Sequence, residues 1–528
     1  MDFYSEILEL ILSNKIKGKD ELHKAKIRLC KKYKVSVIPA DSEILARIPD
    51  ELSDEEKELA TSLLCKKATR SLSGVSVVAV MTSPADCPHG LCIPCPGGPS
   101  NGTPQSYTGH EPAALRAGLN DFDPFLQTRN RVEQLRAIGH PVDKIDFIIM
   151  GGTFTARDPF YQDWFVRRCY DGLNNSDSNS LEEAKLVNEK TESRCIGLTV
   201  ETRPDWFRLR HVDMALYWGA TRVELGVQSV FDDVLYNISR GHNVADSVLA
   251  TRIAKDSGFK VCYHLMPGLP GSNIDRDVEC FETVFEDARF KPDMIKIYPT
   301  LTIKGTKLYD MWKQGDYIPL STEEGARLVA RLKTIVPEWV RIQRIQRDVP
   351  SQFIDAGVDK TNLRQIVDEE MKKNNWSCRC IRCRESGHKS LKENINISEE
   401  DIGLSTDYYE ASDGEEIFLS LVDKKNDALI AYLRLRDISN SHRSELSKKP
   451  CMIIRELKVV GRELSIGKKS KKGHQHKGYG KELISQAEMI CKQEYDKKHL
   501  FVLSGVGVKE YYRNLDFKDE GLYLLKII

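Results

Sequence analysis

From about residue 75 to residue 345, short apolar runs alternate with stretches whose apolar residues recur every three or four positions. The runs are Val75–Val80, Ile145–Met150, Ile196–Glu201, Arg222–Val227, Lys260–Met266, Met294–Tyr298 and Val340–Ile345. Between them lie Gln127–Ile138, Phe207–Trp218, Ala245–Asp256 and Ser321–Thr334, which carry the helical period. Brief apolar runs read as buried strands and the longer period as helices with one apolar face. Alternation over this length predicts an α/β fold with a parallel sheet, open or curled into a partial barrel. Chemistry is then expected at the carboxyl ends of the strands.

The pattern changes at both ends of this region. Ile7, Leu8, Ile11 and Leu12 predict an opening helix. Residues 15–34 then carry nine lysines and arginines against only Asp20 and Glu21, which predicts a basic helix. Such a face suits RNA or plain solvent equally. Residues 171–194, with Asn174–Ser180, read as a polar surface excursion before a helix. Beyond Pro350, residues 351–400 read as charged and irregular. From about 407 the character is antiparallel β, with strands at Glu416–Leu421, Ala428–Leu435 and Met452–Val460, a helix at Lys481–Lys492 and a strand at Leu500–Leu503. Four segments are expected: 1–70, 71–350, 351–400 and 401–528.

A chain of 528 residues is too long for one core, and 41% hydrophobic with 30% charged residues describes an ordinary globular protein. Zero net charge places no global demand for a polyanionic partner. Without a long apolar run or a signal-peptide pattern, a cytoplasmic protein with no membrane partner is expected. Its fourteen cysteines should then be thiols or metal ligands, and six of them fall in two tight clusters.

Cys87, Cys92 and Cys95 share a loop rich in glycine and proline directly after the run Val75–Val80. Three thiolates turned toward one centre suit a [4Fe–4S] cluster with one iron left open. A zinc knuckle with a distant fourth ligand, or unconnected buried thiols, would fit the spacing too. Cys378, Cys380 and Cys383 lie within six residues in an arginine-rich segment, which implies structural zinc or a second cluster. The fourth ligand is open; His388 is near in sequence, and a residue from the barrel would serve as well.

Met150–Phe154, Val200–Asp205, Glu224–Ser229 and His264–Pro270 follow the cysteine loop in order, each at a strand end. Together they resemble the radical S-adenosylmethionine domain of the catalytic subunit of Elongator, and the likeness extends from about residue 70 to the C-terminus. Gly151 and Gly152 let the backbone approach a ligand closely, and the resemblance implies that the methionine amino group of the cofactor binds there. Glu201 and Arg203 suit ribose hydroxyls or a carboxylate, while Glu224, Gln228 and Lys296 are expected at the same cleft; a buried Lys296 needs a charged partner.

Gln475-His476-Lys477-Gly478-Tyr479-Gly480 precedes a helix and resembles the pyrophosphate loop of the GNAT acetyltransferases. Glycines there free backbone N–H groups at a helix N-terminus for the pyrophosphate of CoA. Family members commonly carry glutamine where this chain has Lys477. The following segment, with Tyr511 and Tyr512, resembles the end of the Elongator acetyltransferase domain. It implies that one tyrosine donates a proton to the leaving thiolate while the other is core.

The resemblance therefore implies a basic helical N-terminal segment, a radical SAM partial (β/α) barrel, a zinc-binding linker and a mixed α/β GNAT-like domain. It further implies carboxymethylation at C5 of uridine 34 in the tRNA anticodon loop. A deoxyadenosyl radical would take hydrogen from the methyl of acetyl-CoA, the carbon radical would add to C5, and thioester hydrolysis would release CoA. Accessory subunits are neither required nor excluded. Lys66, Lys67, Arg70, Arg341, Arg344 and Arg347 are expected on an RNA path. The competing readings are a protein lysine acetyltransferase with a structural iron domain, for which Glu456 is the available base, and a tRNA-binding scaffold.

Overall fold

The computed structural model describes residues 2–66, 72–393, 395, 397–438, 440–461 and 477–528. At the N-terminus, helices Phe3–Leu12, Lys19–Tyr33, Asp41–Leu45 and Asp54–Leu64 close over a small core that includes Phe3, Ile7, Ile11, Leu29 and Leu64. The basic helix is partly self-compensated. Lys19 and Lys26 reach Asp41 at 2.7 and 2.9 Å, and Lys32 reaches Glu6. Lys67 and Arg70 lie outside the described residues.

The central region forms one parallel sheet. In chain order its strands are β1 (Ser76–Met81), β2 (Lys144–Met150), β3 (Arg194–Thr202), β4 (Ala220–Gln228), β5 (Lys260–Leu265) and β6 (Met294–Ile297). The two-residue β7 (Leu301–Thr302) stands outside it, and β8 (Arg341–Arg344) completes the sheet in the order β1-β2-β3-β4-β5-β6-β8. Each neighbouring pair in that sheet is parallel, so the connecting helices cover its outer face and the inner face curls around an interior. β9 (Ala356–Gly357) pairs with β7.

Two segments are more ordered than their polarity predicted. Within 171–194, helix Pro159–Asn174 runs on to an Asn175 cap at φ 53°, and Ser180 caps a second helix, Leu181–Asn188. Within 351–400, Leu363–Lys373 is a helix that buries Leu363, Val367 and Met371 at four-residue spacing. Its other faces are polar, which hid the period.

The C-terminal sheet comprises β10 (Ile402–Ala411), β11 (Gly414–Asp423), β12 (Ala428–Asp437), β13 (Cys451–Val459), β14 (His499–Val502), β15 (Lys518–Glu520) and β16 (Tyr523–Ile527), in the order β10-β11-β12-β13-β14-β16-β15. β10 starts before residue 407 because its edge position leaves most of it solvated. Helix Tyr479–Met489 packs on this sheet and ends in a π-turn, Ile490–Glu494.

This sheet docks against the foot of the barrel, where β5 and β6 begin. Arg434, Arg436 and Arg455 are at most 1% exposed and cross to the barrel. Arg436 reaches Asp256 at 2.7 Å, and Arg434 donates to the Trp339 carbonyl at 2.6 Å. Gly505 lies so close to the Ile196 carbonyl of β3 that any side chain would collide with it.

Candidate functional site

A cavity of about 630 Å³ is lined by residues of both sheets. At the foot of the barrel it is bounded by Asp146, Gly197, Arg222, Lys260 and Arg341; at the carboxyl end it meets Gly152, Arg203, Gln228, Met266 and the three loop cysteines. Asp146 and Gly152 are six residues apart along β2 and its continuation, so the cavity spans the barrel over roughly 20 Å.

Cys87, Cys92 and Cys95 all face this cavity. Hydrogen-bonding groups from separate elements approach their sulfurs: Thr153 is 3.6 Å from Cys87, His89 Nε2 3.0 Å and Arg240 Nη1 3.6 Å from Cys92, and Gln105 Nε2 3.1 Å from Cys95. Such contacts stabilise thiolate charge, so the donor set fits a thiolate-bound cluster. Arg240 and Gln105 belong to no sequence motif and only the fold brings them here, whereas Thr153 lies in the Met150–Phe154 motif. A side chain at Gly151 would collide with Thr82, and one at Gly152, where φ is 81°, would sit 3.9 Å from the Cys87 sulfur. Both positions need glycine.

The polar strand residues converge behind the loop. Lys296 contacts Glu224 and lies 3.3 Å from Glu201; Tyr107 donates to Glu201 at 2.9 Å, and His264 pairs with Glu224 at 2.9 Å. Burial pushes the Glu224 carboxyl up, but Lys296, His264 and Arg222 outweigh it and hold it well below the usual range. The expected partner for buried Lys296 is therefore a pair of glutamates. Arg203 is forked on Asp205 at 2.9 and 2.7 Å and donates to the Gly241 carbonyl at 2.9 Å, while its buried Nη1 has no partner among the described residues. Gln228 ends β4 at φ 71°, unusual for a side-chain-bearing residue, and its buried Oε1 has no partner among the described residues. Two free polar atoms and a glycine-lined wall fit a polar ligand such as S-adenosylmethionine.

Arg341 is not on an exposed RNA path. It is 7% exposed and held by Glu385 and the Ser73 hydroxyl. Arg344 pairs with Asp348, and Arg347 donates to the Ser106 carbonyl beside the cysteine loop.

At the other end of the cavity, β13 and β14 pair in parallel from Cys451/His499 to Ile454/Val502, then diverge. Glu456, Leu457, Lys458, Leu503, Ser504 and Tyr512 line the opening. Gly478 precedes helix Tyr479–Met489 at φ 96°, leaving Tyr479, Gly480 and the first free N–H groups at the helix start. Lys477 is paired with Glu399 at 2.7 Å. Gln475 and His476 lie outside the described residues. Tyr512 is 6% exposed and faces the cavity, whereas the Tyr511 hydroxyl lies 2.6 Å from where a side chain on Gly480 would begin. Burial raises the Tyr512 phenol, so it stays protonated. Glu456 accepts from Arg434 Nε at 2.9 Å and Tyr432 at 3.1 Å, which ties it down as a base.

Cys378, Cys380 and Cys383 bring their sulfurs within 4.8 Å of one another, a spacing that fits one tetrahedral ion. His388 is outside that group and sits 3.5 Å from Glu385. Among the described residues no helix is long and apolar enough to cross a membrane.

The radical SAM superfamily model matches residues 84–284, its C-terminal domain model residues 292–373, and the ELP3 N-terminal domain model residues 1–72. The tRNA uridine(34) acetyltransferase of Methanocaldococcus jannaschii is 48% identical over 99% of this chain and 97% of its own length. Human Elongator complex protein 3 is 40% identical over 99% of this chain and 96% of its own. The solved structure of Methanocaldococcus infernus Elp3 lacking residues 1–46 aligns with a TM-score of 0.77 at 47% identity, covering 87% of this chain and all of that one. On identity over nearly the full length of both chains, the chain belongs to the Elongator complex protein 3 family within the radical SAM superfamily.

Proposed function

We propose that this chain modifies the wobble uridine, position 34, of tRNA, attaching a carboxymethyl group at C5 with acetyl-CoA as carbon source. The single cavity shared by the cysteine loop and the splayed strands carries this reading. Two independent activities would need no common interior. Relatives named for tRNA uridine(34) support the substrate.

Cys87, Cys92 and Cys95 would hold a [4Fe–4S] cluster, and bound S-adenosylmethionine would supply a one-electron route to a hydrogen-abstracting deoxyadenosyl group. Gly151 and Gly152 leave room for that cofactor's amino end. Gln228 and Arg203 offer it free polar atoms. The Glu201–Lys296–Glu224 cluster fixes the wall behind it. At the far end, the N–H groups of Tyr479 and Gly480 would bind pyrophosphate, and Tyr512 would protonate the CoA sulfur. The overall reaction balances: uridine, the acetyl group as acetate and S-adenosylmethionine give carboxymethyluridine, methionine, 5′-deoxyadenosine and a proton. S-Adenosylmethionine is the two-electron oxidant. The triad Cys378, Cys380 and Cys383 would hold a structural zinc.

Nucleoside mass spectrometry of unmodified tRNA incubated anaerobically with the reconstituted protein tests this. Carboxymethyluridine should form only with both S-adenosylmethionine and acetyl-CoA and vanish with Cys92→Ala. Acetylated protein lysines without modified uridine would favour the acetyltransferase reading, since the splayed strands alone would suffice for it.

A further inference from the structure

The turn that follows β5 is built around a buried carboxylate that the reading above does not use. Gly268 and Gly271 hold φ values of 79° and 87°, and glycine backbone has little shape of its own. The shape comes from what grips it. The Pro267 carbonyl accepts from Thr300 N and Oγ1, each at 2.9 Å, and the Gly268 carbonyl from the Tyr317 hydroxyl at 2.7 Å. Arg276 donates to the Gly271 carbonyl at 2.6 Å. From helix Ile274–Glu286, Asp277 accepts from Gly268 N with one carboxylate oxygen and from the Ser272 hydroxyl with the other, both at 2.7 Å.

Asp277 is 6% exposed, and the cation beside it in sequence, Arg276, pairs with Asp233 at 2.8 Å instead. A carboxylate buried without a close counter-ion is costly. Burial pushes this one up to about 6, against its two hydrogen bonds and the field of Arg276. Cys280 and Tyr317, the other titratable groups facing it, are themselves raised by burial and stay neutral.

The turn reaches the cofactor end of the cavity on two sides. Met266, its first residue, donates to the Gln228 carbonyl at 2.9 Å, and both residues line the cavity. Leu269 is 2% exposed and clusters with Val234, Ile238 and Ile93. Ile93 lies between Cys92 and Cys95, and its N–H donates to the Ile238 carbonyl at 3.0 Å.

We propose that Asp277 is a positioning residue for S-adenosylmethionine: ionised, it fixes the Met266–Ser272 turn and through it the wall formed by Gln228 and Met266. The proposal rests on the reading above that this cofactor binds at the cysteine-loop end. A neutral carboxyl keeps one good acceptor oxygen, so it grips one donor where the carboxylate grips two. Affinity is therefore full above about pH 7 and falls as pH drops through about 6. Stability runs the other way. The fold favours the neutral form, so ionised Asp277 costs stability at neutral pH. Packing alone would be served better by asparagine.

Equilibrium dialysis of labelled S-adenosylmethionine with the reconstituted full chain, kept oxidised so that no cleavage occurs, tests this. The parent should bind about threefold more weakly at pH 5.5 than at pH 7.5. At equal iron content and pH 7.5, Asp277→Asn should bind about tenfold more weakly than the parent. Its affinity should change less than about twofold with pH, and it should melt at least as high as the parent. Parallel pH profiles in parent and variant, or affinity lost only together with melting temperature, would overturn the proposal. Hydrogen exchange decides it without the cofactor. Peptides within residues 266–272 should exchange at least about fivefold faster in Asp277→Asn at pH 7.5; unchanged exchange would overturn the positioning role. If the parent bound no S-adenosylmethionine, the cofactor reading would fail, and the exchange arm would still decide whether Asp277 holds the turn.

Discussion

Arg455 and Asp293 meet as a two-pronged ion pair across the junction of the two sheets. Nη2 lies 2.6 Å and Nη1 2.8 Å from the two carboxylate oxygens, and neither side chain has exposed surface. Arg455 also reaches Glu416 at 2.6 Å and the Phe259 carbonyl at 2.6 Å, so one guanidinium ties the strand that carries Glu456 and Lys458 to the foot of the barrel. Removing it would take the nearest cation from two buried carboxylates and leave only Lys255, Arg434 and Arg436 beside them. Arg455→Ala should cost about 3–5 kcal/mol of unfolding free energy. Urea denaturation checks this, and adding Asp293→Ala should cost less than the sum of the single changes.

The same cluster predicts an acid limit. Burial pushes the Asp293 carboxyl up, but Arg455, Lys255 and Arg434 outweigh it and hold it far below its ordinary 3.8. A carboxylate depressed in the fold contributes stability above its unfolded value and loses it as pH falls below about 4. Melting temperature should therefore drop steeply below that pH, and less steeply in an Asp293→Asn variant that has already lost the contribution.

His388 acts earlier on acidification. Burial, with Arg382 nearby, lowers its imidazole from 6.5 to about 4, against the opposing pull of Glu385. Between those values the unfolded chain takes up a proton that the folded chain refuses, so stability falls as pH drops from 6.5 toward 4. One such group contributes at most about 1.4 kcal/mol per pH unit. The difference between the parent and His388→Gln in pH-dependent denaturation isolates it.

Much of this architecture is legible in the chain. The strands of the barrel sheet are legible because their helix-covered positions are apolar, although the positions that line the cavity carry Asp146, Glu201, Arg222, Glu224, Lys296 and Arg341. The cysteine loop and Gly478–Gly480 are local patterns whose chemistry follows from spacing. What the sequence hides is long-range compensation. Arg434, Arg436 and Arg455 alternate with apolar residues and look like a solvated face, yet the barrel foot covers them. Arg341 looked available to RNA for the same reason, because its partner Glu385 lies 44 residues away. Gln105, Arg240 and Thr153 approach the cysteine sulfurs from three different elements. Such convergence leaves no periodic signature.

Substituting one of the clustered linker cysteines should separate structure from chemistry. Cys380 is fully buried among its two partners. Cys380→Ser should release about one zinc per chain by elemental analysis and lower the melting temperature, while iron content stays unchanged. Loss of iron in parallel would mean that this triad, too, holds iron.

The two tyrosines should behave differently. Tyr512 faces the cavity near Glu456, whereas Tyr511 lies against the start of helix Tyr479–Met489. Tyr512→Phe should slow CoA release from acetyl-CoA by about 10²–10⁴-fold with the Michaelis constant little changed, as expected for a lost proton donor. Tyr511→Phe should leave the rate within a few-fold. Thiol release monitored with a chromogenic disulfide reads both.

The most direct test of the central claim follows the acetyl methyl hydrogens. With acetyl-CoA carrying three deuteriums, the product uridine should retain two, and the third should appear in 5′-deoxyadenosine. Carboxymethyluridine without deuterium transfer to deoxyadenosine, or an acetylated product retaining all three deuteriums, would contradict hydrogen abstraction from the acetyl group and with it the union of the two sites.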